Sequence, residues 1–237
     1  NLSKQVHIIA SNMDQALLVT TLSQPITSTG FMDRFLSTAE AYSIPTIIVF
    51  NKIDLYREEE LMELEYREAV YRAIGYKVIK TSATEKIGLE KLKEELKNKT
   101  TLLSGHSGVG KSTLVNAVEP NLDLRTGTVS LSHRKGQHTT TFAEMHPLQM
   151  GGDVIDTPGI KGFGMVHMKK EEISHFFPEI FAFSEQCRFH NCMHINEPQC
   201  AVKKALEKNK IAPTRYESYL NQLNDYDEQT HYRTSSH

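Results

Sequence analysis

The sequence predicts an α/β protein, a doubly wound and mostly parallel sheet followed by a small helical segment built around a metal. Three observations carry this. Short β-branched runs alternate with amphipathic stretches as far as Gly164. A glycine-rich loop, Gly105-His106-Ser107-Gly108-Val109-Gly110-Lys111-Ser112, lies between a predicted strand and a predicted helix. Beyond it, composition shifts to short helices, a Cys/His cluster and a polar tail.

Taken in order, residues 6–10 and 16–20 are apolar runs of the kind buried in parallel sheets. Residues 31–42 repeat their apolar positions at helical spacing, and 46–50 (Thr46-Ile47-Ile48-Val49-Phe50) reads as a central strand. Residues 57–74 predict a charged amphipathic helix, ended by Gly75. A strand at 77–80, a helix at 89–96, a strand at 101–104 and a helix from 112 to 118 follow. Residues 121–137 are polar and predict a mobile loop. Two runs, 142–148 and 153–156, flank Gly151-Gly152 as an antiparallel hairpin. The expected domains are 1–165 and 166–237, with disorder from Asp225 onward.

With 27 basic and 29 acidic residues the net charge is −2, so no global field draws the chain to nucleic acid, and any RNA contact must be local. No apolar run approaches the roughly 20 residues that span a bilayer. The first residues form no signal peptide, and they lack an initiator Met, which leaves room for a longer native chain. Three cysteines, all between Cys187 and Cys200, suit metal ligation better than disulfides and point to a reducing cytoplasm.

The glycine loop matches the full phosphate-loop pattern. Its backbone N–H groups, from Gly105 through Thr113, can close around phosphates at a helix N-terminus. Lys111 can neutralise the β and γ phosphates, and the Ser112 hydroxyl can bind Mg²⁺. Asn51-Lys52-Ile53-Asp54 leaves a predicted strand at the sheet's carboxyl end, where such folds bind ligands. The Asp54 carboxylate can accept from guanine's N1–H and exocyclic amine; adenine would leave it unsatisfied. Asn51 can tether the base and neighbouring loops, and the Lys52 stem can cover base and sugar. After the next strand, the amides of Ser82 and Ala83 can meet guanine O6. Asp156-Thr157-Pro158-Gly159 supplies a carboxylate for a Mg²⁺-bound water and a Gly159 N–H for the γ-phosphate. The next residue, Ile160, cannot orient water, so hydrolysis needs help. Within Gly136-Gln137-His138-Thr139-Thr140-Thr141, Thr140 (or Thr139) is expected on Mg²⁺ and the γ-phosphate, and His138 is expected to position the attacking water.

Cys187, Cys192 and Cys200, with one histidine, make a closed tetrahedral set for structural Zn²⁺. His194 and His190 both offer the nitrogen.

The guanine-reading tetrapeptide precedes the phosphate loop, the reverse of the ordinary order. In chain sequence the motifs resemble the circularly permuted GTPases (G4-G5-G1-G2-G3). Within them the chain is similar to the bacterial ribosome small-subunit-dependent GTPase A family of late 30S assembly factors. That resemblance rests on the motifs above and on Cys187-Arg188-Phe189-His190-Asn191-Cys192-Met193-His194, with Glu197-Pro198 before Cys200. It selects His194 as ligand. It implies Mg²⁺-dependent conversion of GTP to GDP and phosphate, stimulation by the 30S subunit, rRNA contact, and an OB-fold domain absent from this sequence; a monomer with no membrane association is expected. Asn191 and Gln199 stand where the family pattern has an acid and a glycine. Lys203, Lys204, Lys208, Lys210 and Arg215 can form a basic face for RNA phosphates. The rival readings are a nucleotide-gated rRNA-binding module, in which hydrolysis only resets the state, and a generic NTPase.

Overall fold

The computed structural model describes residues 13–122, 124, 144–156 and 168–234. They fall into two compact units: one within residues 1–27 and 44–164, the other made of Ser28–Ser43 and Met165–His237.

In the first unit a six-stranded sheet runs in the order β3-β2-β1-β4-β6-β5. Its strands are β1 (Gln15–Thr20), β2 (Thr46–Phe50), β3 (Lys77–Lys80), β4 (Lys99–Ser104), β5 (Glu144–Pro147) and β6 (Gly152–Asp156). All pairs are parallel except β5 with β6, the hairpin expected around Gly151-Gly152. Every residue of β1 and β2 is buried, as their nearly unbroken apolar runs require of central parallel strands. Helices α2 (Glu58–Ile74), α3 (Leu89–Leu96) and α4 (Lys111–Val118) connect the strands. The start of α2 is held by Glu60, whose carboxylate accepts from Arg57 N at 2.9 Å. Its end is Gly75, at φ +114, as the sequence predicts. Leu92 and Leu96 of α3 and Leu114, Val115 and Val118 of α4 pack on Leu17, Val19, Ile47, Val49 and Leu103 of the sheet. The apolar run at 6–10 and the loop at 125–137 lie outside the described residues.

The second unit contains α1 (Thr29–Ala41), a 3₁₀ segment at Lys170–Phe176, α5 (Pro178–Ser184), α6 (Ala201–Glu207) and α7 (Pro213–Thr234). The expected domain 1–165 includes α1; in the structure α1 groups with the C-terminal segment. Asp33 and Ser37 on its buried face explain why. Asp33 accepts from Arg215 Nη1 at 2.8 Å, Ser37 Oγ lies 2.9 Å from Gln222 Oε1, and Arg34 pairs with Asp225, all on α7. A second departure is at the tail, where the helix continues through Asp225 to Thr234 in place of the expected disorder. A core of Ile173, Phe177, Ile180, Val202, Ile211, Tyr219 and Leu223 completes this unit.

Candidate functional site

The strand registers bring the carboxyl ends of β1, β2, β3, β4 and β6 to one edge of the sheet. Thr20 lies opposite Phe50, Phe50 opposite Lys80, and Leu103 opposite Asp156. The residues that follow, Asn51, Thr81 and Gly105, therefore converge there with Asp156 from positions far apart in sequence.

The glycine loop is shaped by close backbone approaches. Gly105, at φ +144, would place a Cβ 2.2 Å from Val19 O, and Gly110, at φ +91, would place one 2.7 Å from Asn51 Nδ2. Helix α4 begins directly after Gly110. Lys111 folds back over the loop and donates from Nζ to Gly105 O at 2.8 Å and His106 O at 3.1 Å. Burial lowers its pKa from the ordinary lysine value, against the opposing pull of the Asp156 carboxylate. Burial, and then the Lys111 charge, also lower His106. Among the described residues, the buried Oδ1 of Asp156 has no hydrogen-bond partner. A buried carboxylate oxygen left so is costly unless a cation completes it. With the Ser112 hydroxyl at the start of α4, the oxygen donors fit Mg²⁺.

The Asn51–Asp54 side of this edge is stitched to the glycine loop. Asn51, 1% exposed, donates from Nδ2 to Val109 O at 3.0 Å and accepts at Oδ1 from Thr81 Oγ1 at 3.0 Å. Its carbonyl accepts from the Tyr56 hydroxyl at 2.8 Å. Lys52, at φ 60, donates from Nζ to Gly108 O and to Gln24 O, both at 2.7 Å. Asp54 stands exposed in the 3₁₀ turn Ile53–Leu55, where its Oδ2 accepts from Thr84 Oγ1 at 3.3 Å. Ser82 is held by paired backbone bonds with Ile87, and Ala83 follows it.

One wall of this site carries no sequence motif. The segment after β1 supplies Gln24 O to Lys52, and Pro25 packs near Gly108, its Cδ 3.4 Å from where a Cβ would stand. Farther on, Thr27 O accepts from Arg67 Nη1 at 2.8 Å. Only the turn-forming Ser-Gln-Pro composition hinted at it. His138, Thr139, Thr140, Gly159 and Ile160 lie outside the described residues.

In the second unit, the ligand atoms of Cys187, Cys192, His194 and Cys200 all lie within 4.8 Å of one another. His194 Nδ1 is 3.6 Å from Cys187 Sγ and 3.5 Å from Cys200 Sγ. Three soft sulfurs and one imidazole nitrogen match structural Zn²⁺. Burial, reinforced by the neighbouring cysteines, pushes the Cys192 thiol up to about 12. Around the ligands runs a support that the sequence showed only as Glu197-Pro198. The Glu197 carboxylate accepts from the amides of Met193 (2.6 Å), Ile195 (2.8 Å) and Asn196 (3.1 Å). From α7, the Tyr216 hydroxyl donates to His194 O at 2.5 Å and the Tyr219 hydroxyl to Met193 O at 2.8 Å. Gln199 sits at φ 58, the left-handed conformation that explains the glycine of the family pattern. Arg215 is not on a basic face; it is 1% exposed, clamped by Asp33 and Glu179 and stacked over Phe177.

A family model described as RsgA GTPase matches residues 1–166. The Small ribosomal subunit biogenesis GTPase RsgA of Flavobacterium psychrophilum is 58% identical over 234 residues, which cover 99% of this chain and 71% of that protein. The crystal structure of YjeQ from Thermotoga maritima superposes with a TM-score of 0.78 at 41% identity, covering 90% of this chain and 71% of that one. YloQ, described as a circularly permuted GTPase, gives 0.74 at 34% identity, with 92% and 69% covered. Motif order, sheet order and these likenesses agree: the chain belongs to the RsgA GTPase family.

Proposed function

We propose that this chain hydrolyses GTP to GDP and phosphate at the carboxyl edge of its sheet, during maturation of the small ribosomal subunit, and that the 30S subunit accelerates turnover. The observation that carries the reading is the Asn51 bridge, which fixes the guanine-reading corner to the phosphate loop, beside Asp156 with its unpartnered buried oxygen.

Each residue has a role that its chemistry supports. Asp54 accepts from guanine N1–H and the exocyclic amine, and the amides of Ser82 and Ala83 face O6. The Lys52 stem covers the base, while its ammonium braces Gly108 and Gln24. The amides of Gly105 through Thr113 cradle the phosphates, and Lys111 exchanges its loop carbonyls for phosphate oxygens. Ser112, Thr140 and Asp156 would hold Mg²⁺, which when bound neutralises charge developing on the phosphates. Gly159 N–H meets the γ-phosphate, and His138 orients the attacking water in place of the side chain that Ile160 cannot provide. Cys187, Cys192, His194 and Cys200 would hold a structural Zn²⁺, whose binding adds folding energy to the second unit. The RNA of the subunit is the partner surface, the protein acts as a monomer, and the compartment is the cytoplasm. No helix among the described residues is long and apolar enough to cross a membrane.

The test is GTP turnover with and without purified 30S subunits, with ATP as competitor. Strong stimulation and no competition by ATP are expected. Tight GTP-dependent subunit binding without stimulation would overturn the enzymatic reading. Loss of guanine preference in Asp54→Asn checks the base contact, and loss of stimulated turnover with normal nucleotide binding in His138→Ala checks the water-positioning role.

A further inference from the structure

We propose that Phe189, at the tip of the Cys187–Cys192 loop, is a stacking platform for an unpaired RNA base, with Arg188 contacting the adjoining phosphate. The proposal rests on the reading of the small ribosomal subunit as partner and names one contact within it.

Residues 188–191 are all exposed, although both flanking cysteines are drawn into the metal cluster. The loop is nonetheless fixed. Cys187 N donates to Ser184 O at 3.0 Å and Cys192 N to Phe189 O at 3.2 Å, so the turn closes on itself. At its tip Phe189 is 40% exposed, as Phe181 on α5 also is at 41%, whereas Phe177 and Tyr219 of the same unit are fully buried. Leaving part of a phenyl ring in water forgoes burial that Phe177 and Tyr219 gain, and Phe189 differs from Phe181 in having an arginine held against it. The Arg188 guanidinium carbon lies 5.5 Å from the ring centroid, a cation held against an aromatic at the surface. An aromatic with an arginine on a short metal-pinned loop suits unpaired nucleic acid: the ring offers a face to any base, and the guanidinium a fork to phosphate. Lys204, Lys208 and Lys210, exposed on α6 and just beyond it, add positive charge to the unit, tempered by Glu185 and Glu207. Because the loop is already fixed, little ordering entropy opposes contact.

The chain contains no tryptophan, so Phe189→Trp installs a single emitter on the platform. The zinc-loaded chain is titrated with 30S subunits and, separately, with single-stranded oligoadenylate. Emission is read against Phe189→Leu under the same titration, which cancels the subunit's own fluorescence. Quenching in both titrations is expected. Phe189→Leu should weaken subunit affinity roughly 5- to 100-fold, while Phe189→Trp retains it. Arg188→Ala should reduce the salt dependence of binding by about one phosphate contact. Zinc content and helical signal should match the parent in all three variants, since none of these side chains enters the core. Equal affinity of the Leu and Trp variants overturns the proposal, and so does a blue-shifted, brighter emission, which marks burial against a protein surface. If subunits fail to stimulate the unmodified chain, the partner reading fails instead, and the oligoadenylate titration still decides whether Phe189 stacks a base.

Discussion

Asn51 joins two motifs 58 positions apart: its Nδ2 donates to the carbonyl of Val109 at 3.0 Å, inside the glycine loop. The same side chain accepts from Thr81, so one buried amide holds β2, the loop and the end of β3 in register. Asn51→Ala leaves the Val109 carbonyl and the Thr81 hydroxyl without this partner. The expected cost is about 1–3 kcal/mol of stability. GDP affinity, measured by calorimetry, should fall at least about tenfold, as a 1.4 kcal/mol loss of preorganisation would give. Asn51→Asp keeps the acceptor but loses the donor, and should be nearly as weak. Unchanged affinity in both would show that the bridge is dispensable.

The burial of Arg215 makes a different kind of prediction. A phosphate-contacting arginine can be removed with little loss of stability, but this one lies between Asp33 and Glu179, at 2.8 and 2.6 Å. Arg215→Met leaves two carboxylates facing each other in a buried site, and should destabilise the second unit by about 3–5 kcal/mol. Chemical unfolding followed by helical signal measures this. A stable variant with a reduced salt slope for RNA would restore the basic-face reading.

The strands and the phosphate loop were legible because their signals are local. β1 and β2 are buried on both faces, so unbroken apolar runs betray them, and the glycine loop has to keep its spacing to close. What escaped notice depends on distant partners. Nothing near Asp33 or Ser37 says that α1 packs on α7, because a polar residue on an amphipathic helix reads alike whether solvated or paired with Arg215. Arg215 itself, among lysines, reads as surface. The helix through Asp225 escaped for the same reason: its polar sequence carries a weak periodic signal, and its anchor is Arg34, almost two hundred residues upstream. Gln24 contributes a carbonyl, not a side chain, so its role at Lys52 leaves no trace in residue type.

Glu68, paired with Lys80 at the end of β3, provides a pH-dependent test of the scaffold. Burial raises its pKa, but hydrogen bonds and charge from Lys80 and Arg72 outweigh that and leave it below the usual glutamate value. A carboxylate depressed in the folded state contributes stability above its unfolded pKa of about 4.3, and loses it as pH falls through the lower folded value. Glu68→Gln should therefore be less stable than the parent at pH 7, by up to about 1 kcal/mol for so partly exposed a pair. The difference should shrink below about pH 4, where the parent carboxylate is protonated too. Urea unfolding of both proteins across this range provides the check, and a gap that widens on acidification would contradict the assignment.

Glu197 touches no ligand atom but holds the turn that carries one. Its two oxygens accept from three amides directly around His194, which sits at φ 58, a conformation unusual for a side chain of that size. Without that carboxylate the turn has less to keep it left-handed, and the imidazole loses its aim at the thiols. Glu197→Gln retains one acceptor oxygen and adds a donor where only donors already point. Zinc affinity, measured by competition with a chromogenic chelator, should fall roughly 10- to 100-fold. Stripping the metal from the parent should loosen residues 187–200 in hydrogen exchange, because the four ligands tie that segment together. Guanine nucleotide binding, which is proposed for residues of the other unit, should persist through both treatments. If the Glu197 variant instead kept full zinc affinity while losing nucleotide, the carboxylate would have a role other than support of the metal site.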